Sequence, residues 1–173
     1  MITFYPGPSK VYPQIAQYAQ EAVSSGIISQ NHRSPAFVEL SQTAIHHFKE
    51  KMDIPADYWV FYTSSATECW EILAQSLVQQ ESFHIYNGAF GKKWAEYTSK
   101  LGIKVHNHNF EINELLKVDQ LTIPATAELI AITHNETSNG TALTKAQIAQ
   151  IRTNYPEQLI AVDATSSLGG VQL

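Results

Sequence analysis

The chain has 173 residues, of which 44% are hydrophobic, and a formal net charge of -5 at pH 7. This length suits one ordinary domain, and the apolar share is large enough for a core, so disorder throughout the chain is excluded. The acidic excess argues against general nucleic-acid binding, which uses basic surface, but leaves a local anion site open. The single cysteine, Cys69, excludes an internal disulfide framework and a multi-cysteine zinc site.

The sequence carries no signal for secretion or for a membrane. No basic stretch leads into an apolar one at the start of the chain. Its most hydrophobic windows are interrupted by polar residues well short of a membrane span. We therefore expect a cytoplasmic protein that binds neither a membrane nor nucleic acid.

Two helices are predicted in the first third of the chain. Proline and glycine punctuate the first ten residues, and a helix follows from about Tyr12 to Ser24. Ser34 is a suitable N-cap for a second helix, and Pro35 suits its first turn. Apolar residues then recur at helical spacing as far as Met52, which predicts an amphipathic helix.

From residue 59 onward, short apolar runs alternate with helical sequence. We predict five strands, in the runs that contain Trp59, Phe83, Ile103, Leu129 and Leu159. Short apolar strands separated by helices predict an α/β fold with a mainly parallel sheet flanked by helices. Functional residues in such sheets gather at the carboxyl ends of the strands.

Unusual residues follow the first of these predicted strands. Residues 63–67 read TSSAT and lie between a strand and a helix. Small and hydroxylated residues at this place leave backbone N–H groups free at a helix N-terminus, which favours a phosphate. An ordinary serine or threonine N-cap is the alternative, and the Walker pattern is absent.

Two later strand ends are also polar. Asp163 ends the last predicted strand, where an acid is costly to bury unless a partner meets it. A protonated ring nitrogen, a helix cap or a metal could each be that partner. Residues 134–140, HNETSNG, form a dense polar cluster at another strand end. His106 and His108 alternate on one strand, but a solvated strand face explains them, so we predict no metal site.

In their order and spacing, these motifs resemble those of the class V, fold-type I aminotransferases, which use pyridoxal 5'-phosphate. The motifs are GP near the start, HRSPAF, TSSAT, NGAFG, HNETSNG and VDATSSLGG. Within the class, HNETSNG followed by VDATSSLGG is most similar to the phosphoserine aminotransferases. The resemblance implies that residues 1–173 are part of the major domain of a larger transferase, with residues 1–35 as its N-terminal segment.

The resemblance also implies a cofactor site, residue by residue. Ala66 and Thr67 match the pair whose backbone holds the cofactor phosphate, although some phosphoserine aminotransferases have arginine in place of Thr67. Phe90 matches an aromatic ring that stacks on the pyridine ring. Thr137 matches a hydroxyl that bonds the ring oxygen, and Asp163 matches the acid that pairs with the pyridinium nitrogen. A carboxylate in that place would keep the nitrogen protonated.

For the substrate, the resemblance implies that Arg33 and the adjacent His32 meet its anionic end. The Schiff-base lysine of the family is expected beyond Leu173, because none of the lysines of this chain occupies its place. The implied enzyme is a homodimer that converts phosphoserine and 2-oxoglutarate to 3-phosphohydroxypyruvate and glutamate in serine biosynthesis. An alanine–glyoxylate or serine–pyruvate type aminotransferase, and a catalytically inactive module that binds an anion, remain as alternatives.

Overall fold

The computed structural model describes residues 10–171, and the chain divides into two compact units, Met1–Tyr62 and Thr63–Leu173. The described part of the first unit is helical. It contains α1, Gln14–Ser24, a 3-10 turn at Ile27–Ser29 and α2, Pro35–Met52. The two predicted helices are therefore confirmed, and α1 begins two residues later than expected.

Local sequence explains both ends of α2. The Ser34 hydroxyl accepts a hydrogen bond from the Phe37 N–H at 3.3 Å, and Pro35 occupies the first turn. At the other end, Asp53 adopts a left-handed conformation with φ of 53°. Neither α1 nor α2 contains a buried residue.

The predicted strand at residues 59–63 is wrong. This run is irregular, and it pairs with no strand among residues 10–171. Its side chains are highly exposed, with Trp59 at 84% and Phe61 at 79% of full exposure. Aromatic and β-branched residues favour a strand only where a neighbouring strand supplies hydrogen bonds and a packing surface. The described part of the chain offers neither to this segment.

The second unit is built on a four-stranded parallel sheet. Its strands are β1, Glu81–Tyr86, β2, Lys104–Asn109, β3, Leu129–Thr133, and β6, Leu159–Asp163, in the order β2-β1-β3-β6. Three helices accompany them: α3, Ala66–Leu77, α4, Ala89–Lys100, and α5, Lys145–Asn154. The prediction of a mainly parallel sheet with flanking helices is confirmed, and the other four strands lie where the sequence placed them.

The central strands β1 and β3 are buried on both faces of the sheet. One face packs an aliphatic cluster around Ile85, Ile130 and Ile132. The other face packs Trp70 of α3 and Trp94 of α4 against Ala131. Burial on both faces explains why these strands read as nearly continuous apolar runs.

Two short elements of the second unit were not predicted. Strands β4, Asn135–Glu136, and β5, Thr141–Ala142, form an antiparallel hairpin within and just after the HNETSNG motif. A 3-10 turn at Val118–Gln120 lies in the segment that connects β2 to β3. Both elements are too short to produce a periodic pattern in the sequence.

His106 of β2 belongs to a cluster of hydrogen bonds around Glu81. His106 Nε2 lies 2.8 Å from Glu81 Oε2, and Lys104 and Thr126 donate to the same carboxylate. Hydrogen bonds from Lys104, His106 and Thr126 lower the pKa of Glu81 to about 2. Among residues 10–171, no group of three or more potential metal-ligating side chains occurs. Within the same range, no helix has the length and apolar character needed to cross a membrane.

Candidate functional site

The carboxyl ends of β3 and β6 lie side by side. In the register of this parallel pair, Thr133 is opposite Asp163, and the His134 N–H donates to the Asp163 carbonyl at 3.0 Å. The loops that follow the two strands are also connected. His134 Nδ1 and Ser167 Oγ are 2.8 Å apart, and the hydroxyls of Thr137 and Ser166 share a hydrogen bond. This edge is where parallel α/β sheets bind their ligands.

The Asp163 carboxylate has two hydrogen-bond donors. The Trp70 indole N–H donates to Oδ2 at 3.2 Å, and the Thr165 backbone N–H donates to Oδ1 at 3.0 Å. Asp163 lines a cleft of about 300 Å³ together with Thr63 and Ala66 from the start of α3. We call this the Asp163 cleft. It places a carboxylate and a helix N-terminus on one cavity.

The start of α3 has its own local cap. Ser65 is the N-cap, and its hydroxyl accepts from the Glu68 N–H at 3.1 Å. Glu68 in turn accepts from the hydroxyl and the N–H of Ser64, and these two hydrogen bonds lower its pKa below the usual range. The N–H groups of Ala66 and Thr67 donate to no atom of residues 10–171. They are free donors at the positive end of a helix dipole.

A buried carboxylate, Glu136, connects the HNETSNG hairpin to the start of α4. Glu136 is 2% exposed and accepts from the N–H groups of Phe90 at 3.3 Å and Gly91 at 3.1 Å. It also accepts from the Ser138 N–H at 3.1 Å and the Ser138 hydroxyl at 2.7 Å. Burial alone would raise the pKa of Glu136, but the hydrogen bonds from Ser138, Gly91 and Phe90 together lower it.

Two glycines of the NGAFG motif permit this contact. A β-carbon on Gly88 would lie 2.3 Å from Cγ of Glu136, and one on Gly91 would lie 2.3 Å from Cβ of Tyr86. Either would clash, because real β-carbons do not approach other carbons so closely. Glycine is therefore required where the start of α4 meets Glu136 and β1.

The HNETSNG motif was recognised in the sequence as a polar cluster, but the sequence did not predict that Glu136 accepts hydrogen bonds from the start of α4. Glu136 lies in a polar segment, and nothing near it in the sequence indicates that its side chain is buried. Its hydrogen-bond partner Phe90 is 46 positions away in the sequence. The available signal was the pair of glycines around a helix start that lacks a serine, threonine, aspartate or asparagine cap. A helix start of that kind needs an acceptor from elsewhere in the fold.

The predicted cofactor residues do not all line the Asp163 cleft. Asp163 and Ala66 line the Asp163 cleft, whereas Thr67, Phe90 and Thr137 are not among the residues in the range 10–171 that line it. Thr137 contacts Ser166 in the loop that follows Asp163. The Phe90 amide is bound by Glu136, the residue before Thr137, and the Phe90 side chain is 41% exposed.

The two predicted substrate residues lie in the other unit. Arg33 and His32 are exposed and belong to the turn before α2. The Arg33 N–H donates to Asn31 Oδ1 at 2.8 Å, which holds the backbone of this turn. The contact of Arg33 and His32 with a substrate stays a prediction.

Known proteins similar to this chain are aminotransferases. The family described as Aminotransferase class-V matches residues 5–173. A phosphoserine aminotransferase from Rhodococcus opacus (strain B4) is 29% identical over an alignment that covers 95% of this chain and 43% of that protein. The crystal structure of a phosphoserine aminotransferase from Cytophaga hutchinsonii has a TM-score of 0.91 and 36% identity, over 97% of this chain and 46% of that one.

A more distant structure has the same fold. Pyridoxamine-pyruvate aminotransferase from Mesorhizobium loti has a TM-score of 0.81 and 20% identity, over 100% of this chain and 44% of that one. These similarities confirm the fold class expected from the motifs. The chain spans less than half the length of each of these three proteins.

Proposed function

Because this chain belongs to the class-V aminotransferase family, we propose that the whole protein is a phosphoserine aminotransferase. It transfers the amino group of phosphoserine to 2-oxoglutarate, which yields 3-phosphohydroxypyruvate and glutamate, and it uses pyridoxal 5'-phosphate. The similarity to the phosphoserine aminotransferases of Rhodococcus opacus and Cytophaga hutchinsonii supports this substrate class. The observation that carries the proposal is that Asp163 and Ala66, the first residue of α3, line one cleft.

The described residues fit the cofactor in their chemistry. Pyridoxal 5'-phosphate carries an anionic phosphate and a ring nitrogen that is basic, and it supplies an electron sink when the substrate loses its α-proton. The free N–H groups of Ala66 and Thr67 suit the phosphate, since they add hydrogen bonds and a favourable dipole without a charged side chain. The Asp163 carboxylate suits the protonated ring nitrogen.

Asp163 can accept one more hydrogen bond. Trp70 and Thr165 each donate one hydrogen bond to it, one to each oxygen. An ionised carboxylate has about four lone-pair sites, so a ring N–H can be accepted without displacing either donor. In this proposal Asp163 holds a proton at the ring nitrogen and keeps it there through the reaction.

Glu136 is proposed to position Phe90 and Thr137 for the cofactor. It binds the backbone N–H groups of Phe90 and Gly91, and it precedes Thr137 in the hairpin. Movement of the hairpin relative to α4 would break hydrogen bonds to a buried carboxylate, which is costly. Phe90 would then fix the ring plane, and the Thr137 hydroxyl would donate to the ring oxygen.

The remaining parts of the enzyme are proposed from the family. We propose that the Schiff-base lysine lies outside this chain, and that residues 1–173 are part of the major domain with residues 1–35 as its N-terminal segment. Arg33 and His32 are proposed to bind the anionic end of the substrate, in a cytoplasmic homodimer that serves serine biosynthesis. Arg33 offers a planar guanidinium that matches a carboxylate or a phosphate.

One observation favours a second candidate. Thr67 stands where some phosphoserine aminotransferases have an arginine, so this chain has one cation fewer near an anionic substrate. An alanine–glyoxylate or serine–pyruvate type aminotransferase requires no such cation for a substrate phosphate. This alternative predicts turnover of alanine or serine with glyoxylate or pyruvate, and none of phosphoserine.

The test uses the whole protein, purified with pyridoxal 5'-phosphate. Its absorbance spectrum before and after borohydride reports a lysine-bound cofactor, and a coupled assay then compares phosphoserine with alanine and serine as amino donors. We expect a spectrum that changes with borohydride and a kcat/KM that is highest for phosphoserine. A protein that binds no cofactor would contradict the proposal, and a preference for alanine would support the second candidate.

A further inference from the structure

A long-range hydrogen bond reaches the Asp163 carboxylate from α3. The Trp70 indole N–H donates to Oδ2 at 3.2 Å, across 93 residues of sequence. The other donor, the Thr165 N–H, is only two residues away and bonds Oδ1. One oxygen is therefore held by the local turn, and the other is held by a side chain of a different element.

The Trp70 ring is itself fixed in orientation. Trp70 is 4% exposed and stacks on Trp94, which is 2% exposed, with ring centroids 5.8 Å apart and 11° between the planes. Tyr97 meets the Trp70 ring edge-on at 6.3 Å, and His84 meets the Trp94 ring edge-on at 5.6 Å. Rotation of the Trp70 side chain would disrupt this buried cluster, so the direction of its N–H is fixed.

Asp163 needs a donor of this kind because its own surroundings are open. It is the last residue of β6, and the next loop is exposed at Thr165 and Ser166. With the Thr165 N–H alone, Oδ1 would be held but the carboxylate could turn about that bond. An ion pair depends on the direction of the carboxylate as well as on its charge.

We infer that Trp70 is a positioning residue, whose indole N–H orients the Asp163 carboxylate toward the ring nitrogen of the cofactor. This inference rests on the proposed function and adds a residue to that site. Trp70 acts through Asp163 and is not assigned a contact with the reacting atoms. Its burial explains packing, but burial alone does not require an N–H directed at a carboxylate.

Trp70→Phe separates positioning from packing. The phenyl ring keeps most of the stacking surface on Trp94 and loses the N–H donor. Trp94→Phe is the matched control, because the Trp94 N–H has no acceptor among residues 10–171. Both variants remove an indole from the same buried stack, but only Trp70→Phe removes a hydrogen bond to Asp163. A second variant at position 70, with benzothienylalanine in place of tryptophan, keeps the ring size and replaces the N–H by sulfur.

The experiment measures cofactor binding and the pH profile of the bound cofactor in the whole protein. Titration with pyridoxal 5'-phosphate gives the Kd, and the 15N chemical shift of a bound cofactor that is labelled at the ring nitrogen, followed against pH, reports the proton on that nitrogen. We expect Trp70→Phe and the benzothienylalanine variant to raise the Kd about tenfold, as expected for one hydrogen bond to a charged group. The ring nitrogen should also lose its proton at a lower pH in both variants, but not in Trp94→Phe.

A double-mutant cycle with Asp163→Ala identifies the route of the effect, because alanine has no acceptor for the Trp70 N–H to orient. If Trp70 acts through Asp163, Trp70→Phe changes neither the Kd nor the pH profile further in the Asp163→Ala background. Equal effects of Trp70→Phe and Trp94→Phe, or an effect of Trp70→Phe that persists in Asp163→Ala, would overturn the inference and leave the proposed function intact. Failure of the unmodified protein to bind the cofactor would overturn both.

Discussion

Helices α2 and α4 begin in opposite ways. In the first turn of α2, the Phe37 N–H is capped by Ser34, the residue directly before the helix. The N-cap position of α4 is Gly88, which has no side chain, and the N–H groups of its first turn bind Glu136 and Ser138 instead. The start of α2 is a property of neighbouring residues, whereas the start of α4 exists only when a distant hairpin is in place.

The two helix starts therefore differ in how much they contribute to the stability of the fold. The Ser34 cap is only half-buried, so water can replace a lost hydrogen bond there. Glu136 is buried and satisfies three backbone N–H groups, which would have no acceptor without it. The same kind of interaction, an oxygen at a helix N-terminus, is therefore worth much more in α4 than in α2.

Removal of the Glu136 carboxylate should have the largest effect. Glu136→Ala leaves buried donors unpaired, and we expect it to lower the free energy of unfolding by about 4 kcal/mol. Glu136→Gln keeps one oxygen acceptor but turns an NH₂ group toward other donors, so its effect should be intermediate. Urea unfolding of the whole protein measures both. A loss in Glu136→Ala as small as that of a surface cap would contradict the buried network.

A change at Asp163 should affect the catalytic rate rather than the stability of the fold. Asp163→Asn is nearly isosteric, so the fold and the Trp70 contact should survive, but the variant lacks the negative charge that we propose holds the ring proton. We expect kcat of the holoenzyme to fall about a hundredfold, or about 2.7 kcal/mol in the activation barrier. Thr137→Ala is the milder comparison. Turnover like that of the unmodified protein, with the cofactor still bound to Asp163→Asn, would assign Asp163 a structural role only.

The buried side chain of His84 should make the free energy of unfolding depend on pH. Burial lowers the pKa of His84 from 6.5 to about 4, so the unfolded chain takes up a proton at a higher pH than the folded one. Its contribution is complete above pH 6.5 and is lost as the pH falls toward 4. Between pH 7 and pH 5 we expect a loss of about 2 kcal/mol in the free energy of unfolding.

His84→Gln should reduce that loss, and His46→Gln, a change at an exposed position on α2, is the control. Urea unfolding at the two pH values measures the difference. The pKa values of Glu81 and Glu136 are lowered from about 4.5, so their contributions are lost only at more acidic pH and do not affect this interval. The same dependence on pH in His84→Gln as in the unmodified protein would contradict the assignment to His84.

The smallest effect is expected at the local cap. Ser34→Ala removes the hydroxyl that accepts from Phe37, and we expect a loss of about 1 kcal/mol. Ser34→Asp should restore the cap, because aspartate is an equally good N-cap residue. Thermal unfolding followed by circular dichroism compares the three forms. A loss in Ser34→Ala that Ser34→Asp does not restore would show that the hydroxyl does something other than cap α2.

Elements whose signals are local could be predicted from the sequence. Ser34 and Pro35 marked the start of α2, and the capping box that Thr144 forms with Gln147 at the start of α5 is a local signal of the same kind. The buried runs in β1 and β3 were recognisable because both faces of those strands are apolar. Caps and periodicity act between residues a few positions apart, so they can be read without knowledge of the fold.

Features that depend on distant partners could not be predicted from the sequence. The run at Trp59 has strand-forming residues but no strand beside it within residues 10–171, so its composition was misleading. The hydrogen bond between Phe90 and the buried Glu136 joins residues 46 positions apart. The hydrogen bond between Trp70 and Asp163 joins residues 93 positions apart. Such contacts are selected by the packing of the whole unit, in which a buried polar group must find a donor or acceptor wherever the fold places one.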